Sequence, residues 1–198
     1  MLNRSFYIFE WLIVNDSPEE SVDVDILSKL TFDYKVINHK VNLGIHQARV
    51  DGLYASNGDI IHLLDQDDEI SKEFYLKLCE EINNDIDVVV CNCINENTQD
   101  ILYKSNYDLK MVTNLDYYLM ISNAIESPGQ CLIKKSVIPD VYYNSNIKKN
   151  GSDDLLLWIS LLKEEKNFKV LNECLYIHKD SGENVSSSKL ALKILLWK

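Results

Sequence analysis

Short apolar runs recur along the chain, separated by polar turns rich in Asn, Asp, Gly or Pro. Phe6 to Val14 (FYIFEWLIV) is dense in β-branched and aromatic residues and stops at Asn15-Asp16-Ser17-Pro18, so it reads as a buried strand ending in a turn. Glu19-Glu20-Ser21 opens a helix to about Leu30. Tyr34 to Asn38 is a short strand, and Leu43 to Ser56 a helix whose Ala48, Leu53 and Ala55 can face a sheet. Asn57-Gly58-Asp59 turns into Ile60-Ile61-His62-Leu63-Leu64, apolar nearly throughout, as expected of a strand covered on both faces. Ser71-Lys72-Glu73 caps a helix to about Ile82, and Asp85 to Cys93 (DIDVVVCNC) is a further strand.

Strands alternating with helices predict an α/β fold with a mainly parallel sheet and right-handed crossovers. Ligands of such sheets bind at the carboxyl ends of strands, where two acidic turns lie here, Asn15-Asp16-Ser17 and Asp65-Gln66-Asp67-Asp68. The second half is less regular. It predicts a helix near Leu115 to Asn123, a loop at Glu126-Ser127-Pro128-Gly129-Gln130 and a strand at Cys131-Leu132-Ile133. A helix from Ser152 to Lys163 and strands at Phe168 to Leu171 and Leu175 to His178 follow. In Lys189 to Lys198 (KLALKILLWK), Leu190, Ile194 and Trp197 share one helical face beside Lys189 and Lys193. That segment reads as a last helix, either packed on the domain or lying in an anionic membrane interface.

Length and charge narrow the picture. The 198 residues fit one domain, able to bury about 70% of the surface of the unfolded chain, and no Pro-, Gly- or Ser-rich tract marks a linker. Residues 1–93 hold the regular strand-helix alternation and 94–198 the less regular half of that domain. A net charge of −11 argues against a nucleic-acid partner, whose phosphates demand a basic surface. The five cysteines are odd in number and their closest pair is Cys91-x-Cys93, which misses zinc and redox spacings, so they read as reduced, buried thiols of a cytoplasmic protein. No apolar run is long enough to span a bilayer, and Met1-Leu2-Asn3-Arg4 leads into no signal-peptide core.

Four carboxylates crowded into Asp65-Gln66-Asp67-Asp68-Glu69 repel one another unless something positive compensates them. A hard divalent cation would do so, taking one or two protein oxygens and completing its shell with substrate phosphates. A solvated acidic turn capping the Ser71 helix fits the string as well. An EF-hand is excluded, because Ile70 stands where its loop needs Gly and Leu76 where it needs the bidentate Glu.

The context of the string carries a resemblance. Asn42-Leu43-Gly44, Ala48-Arg49, Ala55-Ser56-Asn57-Gly58-Asp59, the strand to Leu64 and Asp65-Gln66-Asp67-Asp68 resemble, in order, the core of family 2 glycosyltransferases, with their N-x-G turn, A-R helix, A-x-G-(D/E) turn and D-x-D-D. Phe9 to Ser17 looks like that family's second strand with its nucleotide-binding Asp. Gly151-Ser152-Asp153-Asp154-Leu155-Leu156-Leu157-Trp158 resembles its E-D-x-x-x-W segment, with Asp153 in place of Glu. These motifs cover roughly three quarters of the chain. The resemblance implies a GT-A, Rossmann-like fold and metal-dependent transfer of sugar from a UDP- or GDP-sugar to a glycan or glycolipid acceptor, with inversion, in polysaccharide or glycolipid synthesis.

Residue by residue, the resemblance implies that Asp16 bonds the nucleotide base and Arg49 supports base or phosphate. Asp65 would hold the ribose or a metal-bound water, and Asp67, with Asp68, would hold Mn²⁺ or Mg²⁺. Asp154 would be the general base; two Asp residues at a helix start also serve as a cap and dipole partner. Asp153, Trp158, Gln130 and His178 are candidate acceptor or diphosphate contacts. His178 sits in Tyr176-Ile177-His178, similar to the family's Y-x-H segment. The family places a strand and helix ahead of the segment matching Phe9 to Val14, and that strand lies centrally in its sheet. Only Met1 to Ser5 precede Phe6 here, so the resemblance implies a sheet missing its first central strand, and with it an alternative: a non-catalytic remnant or one subunit of a split enzyme. A nucleotidyltransferase would want a Gly- and basic-rich phosphate loop, which the chain lacks.

Overall fold

A computed structural model describes residues 9–148, 152–179 and 191–197. Its elements in chain order are β1 (Phe9–Asn15), α1 (Val24–Leu27), β2 (Asp33–Asn38), α2 (Ile45–Ala55), β3 (Ile60–Leu64), β4 (Glu69–Ile70), α3 (Phe74–Glu81) and β5 (Val88–Asn95). There follow α4 (Asn106–Met111), α5 (Leu115–Met120), β6 (Cys131–Lys134), α6 (Asp140–Asn144), α7 (Ser152–Lys163), β7 (Phe168–His178) and β8 (Ala191–Trp197).

All eight strands join one sheet in the order β2-β1-β8-β3-β6-β5-β7-β4. Strands β1, β2, β3, β5 and β7 share one direction, as the α/β pattern predicts, but β8, β6 and β4 run against them, so only β1/β2 and β5/β7 pair as parallel neighbours. Both faces are covered. Alternate residues divide between two apolar clusters: Val88, Val90, Cys131 and Ile133 pack on the side of α2 and α7 with Leu53, Leu157 and Trp158. Val89, Cys91, Cys93 and Leu132 pack on the opposite side with Phe74 and Leu78 of α3. Cys79, Cys91 and Cys93 are buried on this side and Cys131 on the other, while Cys174 is exposed; burial pushes the Cys79 thiol up to about 12.

Several elements differ from the sequence expectation for identifiable reasons. The helix expected from Glu19 to Leu30 shrinks to the single turn α1. Glu20 is tied into the preceding turn, its N–H bonded to Ser17 O and its carbonyl accepting from Asn15 Nδ2, and Asp23 Oδ1 receives Asp25 N–H instead. The two strands expected between Phe168 and His178 are one, with a register shift opposite Cys91 and Asn92 where Asn172 Oδ1 accepts from Asn92 Nδ2.

The largest difference is β8. The segment expected as an amphipathic helix is a strand inserted between β1 and β3, antiparallel to both, with Ala191 opposite Asn15 and Lys193 opposite Leu64. The position expected to be missing a central strand is therefore filled from the other end of the sequence. A strand with backbone partners on both sides is not the interfacial helix expected there. Among the described residues no helix is long and apolar enough to cross a membrane.

Candidate active site

The end of β1 is organised by Asp16, which is 4% exposed. Its Oδ1 accepts the Leu43 N–H and its Oδ2 the Gly44 N–H, each at 2.7 Å, while Asn42 Nδ2 donates to its carbonyl at 3.0 Å. The Asn42-Leu43-Gly44 turn is thus wrapped around one carboxylate, and Gly44 supplies the φ of +90° that the turn into α2 requires. His39 Nδ1 donates to the same carboxylate at 2.7 Å, and its Nε2 lies 2.9 Å from Asp51 Oδ2, off the hydrogen-bonding direction. Beside this turn a cavity of about 250 Å³ is lined by Asn15, Ser17, Glu20, Ser21 and, from the next strand end, Gln66.

Arg49 lies on the buried face of α2 and is 1% exposed. One terminal nitrogen donates to Asp153 Oδ2 at 2.6 Å and to Asp154 Oδ1, and the other donates to Asp65 Oδ1 at 3.0 Å. Burial alone would lower the Arg49 pKa, but Asp154, Asp153 and Asp65 together raise it well above its usual value. The converse holds for the acids. Burial raises the Asp154 carboxyl to about 7 against the pull of Arg49, with Asp153 and Asp65 adding to the rise. Asp65 is raised by burial in the same way, and Ser127 Oγ donates to its Oδ2 at 3.3 Å. Asp153 and Asp154 stand in the first turn of α7, where the helix dipole favours negative charge.

In the turn after β3, Asp67 is exposed and makes no hydrogen bond or ion pair among the described residues. Asp68 is turned inward: Oδ2 accepts from Tyr176 OH, and Oδ1 accepts from the Lys179 N–H at 2.9 Å and from His178 Nδ1 at 3.1 Å. The bond to Asp68 raises the His178 pKa, outweighing the effect of its partial burial. Tyr176 passes so close to the 126–130 loop that a Cβ on Gly129 would meet its ring at 2.5 Å, so this loop needs glycine there. Among the described residues no group of three or more His, Cys, Asp or Glu forms a ready-made cage for a metal. The exposed Asp67 carboxylate nevertheless suits a hard cation that keeps one or two protein ligands and takes its remaining oxygens from a bound diphosphate.

The Glycosyl transferase family 2 profile matches residues 1–141, the stretch that contains the Asp16 turn, Arg49 and Asp65 to Asp68. The chain belongs to that family. It is similar to the putative glycosyltransferase EpsH of Bacillus subtilis (strain 168), 32% identical over 92 residues, which are 46% of this chain and 26% of that protein. It is also similar to the uncharacterized glycosyltransferase EpsJ of the same organism, 23% identical over 94% of this chain and 57% of that one. The chain thus spans between a quarter and a little over half of these relatives. The crystal structure of S. aureus TarS 1-349 superposes with a TM-score of 0.63 at 19% identity, over 85% of this chain and 50% of that one, a likeness of fold.

Within this family frame the fold gathers Arg49 of α2, Asp65 after β3 and Asp154 of α7, and holds Asp16 at the end of β1 and Asp67 and Asp68 after β3, the two strands that flank β8. Three acceptor or diphosphate candidates are buried inside the protein. Gln130 is fully buried, its Nε2 donating to Cys91 O and its Oε1 accepting from the Glu126 and Ser127 N–H groups, so it pins the loop rather than an acceptor. Trp158 is 0% exposed in the core beneath α7, and Asp153 is 0% exposed against Arg49. Arg49 itself spends its terminal nitrogens on carboxylates rather than presenting them to base or phosphate.

Sequence motifs point to the remaining residues of the site unevenly. His39 shows no ligand spacing, and its partner lies 23 residues away. Tyr176 was legible in the Y-x-H segment. Ser127 was legible as Ser-Pro-x-Gln, a capping-box pattern that the loop fulfils with Gln130. His62, fully buried between Gly129 O at 2.8 Å and Tyr75 OH at 2.9 Å, must donate through Nε2 to the carbonyl and accept at Nδ1, and burial lowers its pKa to about 4. It is a neutral strut between β3 and the loop.

Proposed function

We propose that the chain transfers a sugar from a UDP- or GDP-sugar to an acceptor hydroxyl by direct displacement, with inversion at the anomeric carbon. The observation that carries this reading is the Arg49 bridge: one guanidinium joins Asp154, 14% exposed at the start of α7, to Asp65 at the end of β3. Asp154 is the group that takes the proton of the incoming hydroxyl, and a carboxyl raised to about 7 is matched to that task near neutral pH. Arg49 positions both carboxylates from behind without touching substrate. Asp16, fixed by two N–H groups and His39, orders the turn beside the Asn15–Gln66 cavity, which suits the nucleoside. Asp67, with Asp68 beside it, would hold Mn²⁺ or Mg²⁺, whose contribution when bound is Lewis-acid stabilisation of the departing diphosphate. The setting we infer is assembly of a polysaccharide or glycolipid on the cytoplasmic side.

Incubating the full chain with Mn²⁺ or Mg²⁺ and a panel of UDP- and GDP-sugars, and following hydrolysis or transfer, tests the reading. Asp67→Asn should weaken UDP or GDP binding by calorimetry. Asp154→Asn should cut turnover by about 10²–10⁴-fold with donor affinity kept, and wild-type turnover should rise with pH through about 7 as Asp154 loses its proton. A chain that binds UDP or GDP and turns over no donor would be a binding module instead. One that binds neither nucleotide would overturn the proposal.

A further inference from the structure

The two ends of the sheet are unlike. At one end β4 is two residues long, and Lys179 is paired with its Glu69. At the other end β2 presents six residues, and among the described residues it pairs with β1 alone. The direction of its free backbone groups follows from that ladder. The His39 N–H bonds Asn15 O at 2.9 Å, so His39, Ile37 and Lys35 turn their backbone groups toward β1, and by alternation Tyr34, Val36 and Asn38 turn theirs outward. Such an edge is a template for a further strand unless something blocks it. Tyr34 is 42% exposed on it, and Phe32, in the bend before the strand, is 37% exposed.

The charges on this edge lack partners. Asp33 and Lys35 flank Tyr34, both are exposed, and neither has an ion pair or side-chain hydrogen bond among the described residues. Asp33 also lies across the ladder from Glu10, whose carboxylate takes the Asn57 N–H and side-chain amide and supplies no cation. A second copy of the same edge supplies one. Because Tyr34 points its N–H and C=O outward, an antiparallel copy centred there makes Tyr34 against Tyr34 a hydrogen-bonded pair. The adjoining positions are then close pairs without hydrogen bonds, about 4.5 Å between Cα atoms, and they set Asp33 against Lys35 on both sides of the axis. Opposite charges directly across an antiparallel pair stabilise it, and like charges do the reverse. The neighbouring registers lack this match: an axis at Lys35 sets Lys35 against itself, and one at Val36 sets Lys35 against Ile37. In the favoured register Val36 falls opposite Phe32 of the second copy, which adds apolar contact beside the paired tyrosines.

We propose that β2 is a self-recognition edge, through which two copies of the chain pair antiparallel about a twofold axis at Tyr34 and join their sheets into one. The arrangement keeps the two candidate sites apart. His39 stands five positions beyond the axis in each copy, so the two Asp16 turns lie at opposite ends of the seam, about 33 Å apart at about 3.3 Å per residue. A contact along one strand edge is small, so the dimer forms in a concentration-dependent way.

Sedimentation velocity of the full chain measures it, in about 0.15 M salt, where a Debye length of about 8 Å screens the repulsion between two chains of net charge −11. Between about 10 µM and 1 mM the wild-type mass should rise toward that of a dimer. Asp33→Lys and Lys35→Asp each set like charges across the axis and should stay monomeric over the same range, with circular dichroism spectra like that of wild type. An equimolar mixture of the two variants regains both opposite-charge pairs in a heterodimer, and the double variant Asp33→Lys/Lys35→Asp regains them in a homodimer, so both should associate within about threefold of wild type. A wild type that stays monomeric at about 1 mM, single variants that associate as wild type does, or failure of the mixture or of the double variant to associate overturns pairing through β2.

Discussion

Arg49→Met removes one positive charge from a cluster in which it faces three carboxylates. Methionine retains much of the volume, so the loss is mainly electrostatic. Asp153, 0% exposed, is left without its partner and Asp154 nearly so. Removing one member of a buried ion pair typically costs about 3–5 kcal/mol, because the remaining charge stays desolvated. Against a total stability of roughly 5–15 kcal/mol that is a large fraction, and with a urea slope of about 2 kcal/mol/M the midpoint should fall by about 2 M. The sign of the pH dependence is a stricter check. Without Arg49 the folded-state pKa values of Asp154 and Asp65, already raised by burial, rise further above their unfolded values, so the folded variant binds more protons than the unfolded chain, and its deficit should shrink from pH 8 toward pH 5. Asp154→Asn, which lowers the excess of negative charge, should cost far less. Urea unfolding at pH 5, 7 and 8, followed by tryptophan fluorescence and circular dichroism, measures both. A loss below about 1 kcal/mol, or one that grows as the pH falls, would refute the claim that Arg49 compensates these acids.

His62 predicts the opposite slope. Its folded-state pKa of about 4 lies below the usual 6.5, so the unfolded chain binds the extra proton first and stability falls as the pH drops from about 6.5 to 4, by about 3 kcal/mol. The urea midpoint of wild type should therefore decline more steeply over that range than that of His62→Gln; parallel curves would remove His62 as the cause. Ending the chain at Ser188 deletes β8, with its seven cross-strand positions on β1 and five on β3. At about 1 kcal/mol net per backbone hydrogen bond the loss is on the order of 10 kcal/mol, comparable with the whole stability, so the shortened chain should be unfolded by circular dichroism. A shortened chain that melts cooperatively at the wild-type temperature would show β8 to be dispensable.

Much of the fold follows from local pattern. Ile60 to Leu64 and Val88 to Cys93 are apolar on both faces because both faces are covered, and the acidic turns fall at strand ends because the apolar runs stop there. A Ser105-x-x-Asp108 capping box starts α4, but α4 and α6, of six and five residues, are too short to show a helical period. Three decisions belong to the tertiary structure. Arg49 meets Asp153 across 104 positions, and no spacing in the sequence announces that a helix arginine will spend its charge inside the protein. Asp68 turns away from Asp67 because the shifted register of β7 delivers Tyr176 and His178 to it. KLALKILLWK satisfies a helical face and an alternating pattern alike, so its ten residues hold no local preference strong enough to choose. The choice is made by β1 and β3, whose unpaired backbone groups face each other across a gap one strand wide and are satisfied only when an extended segment enters it.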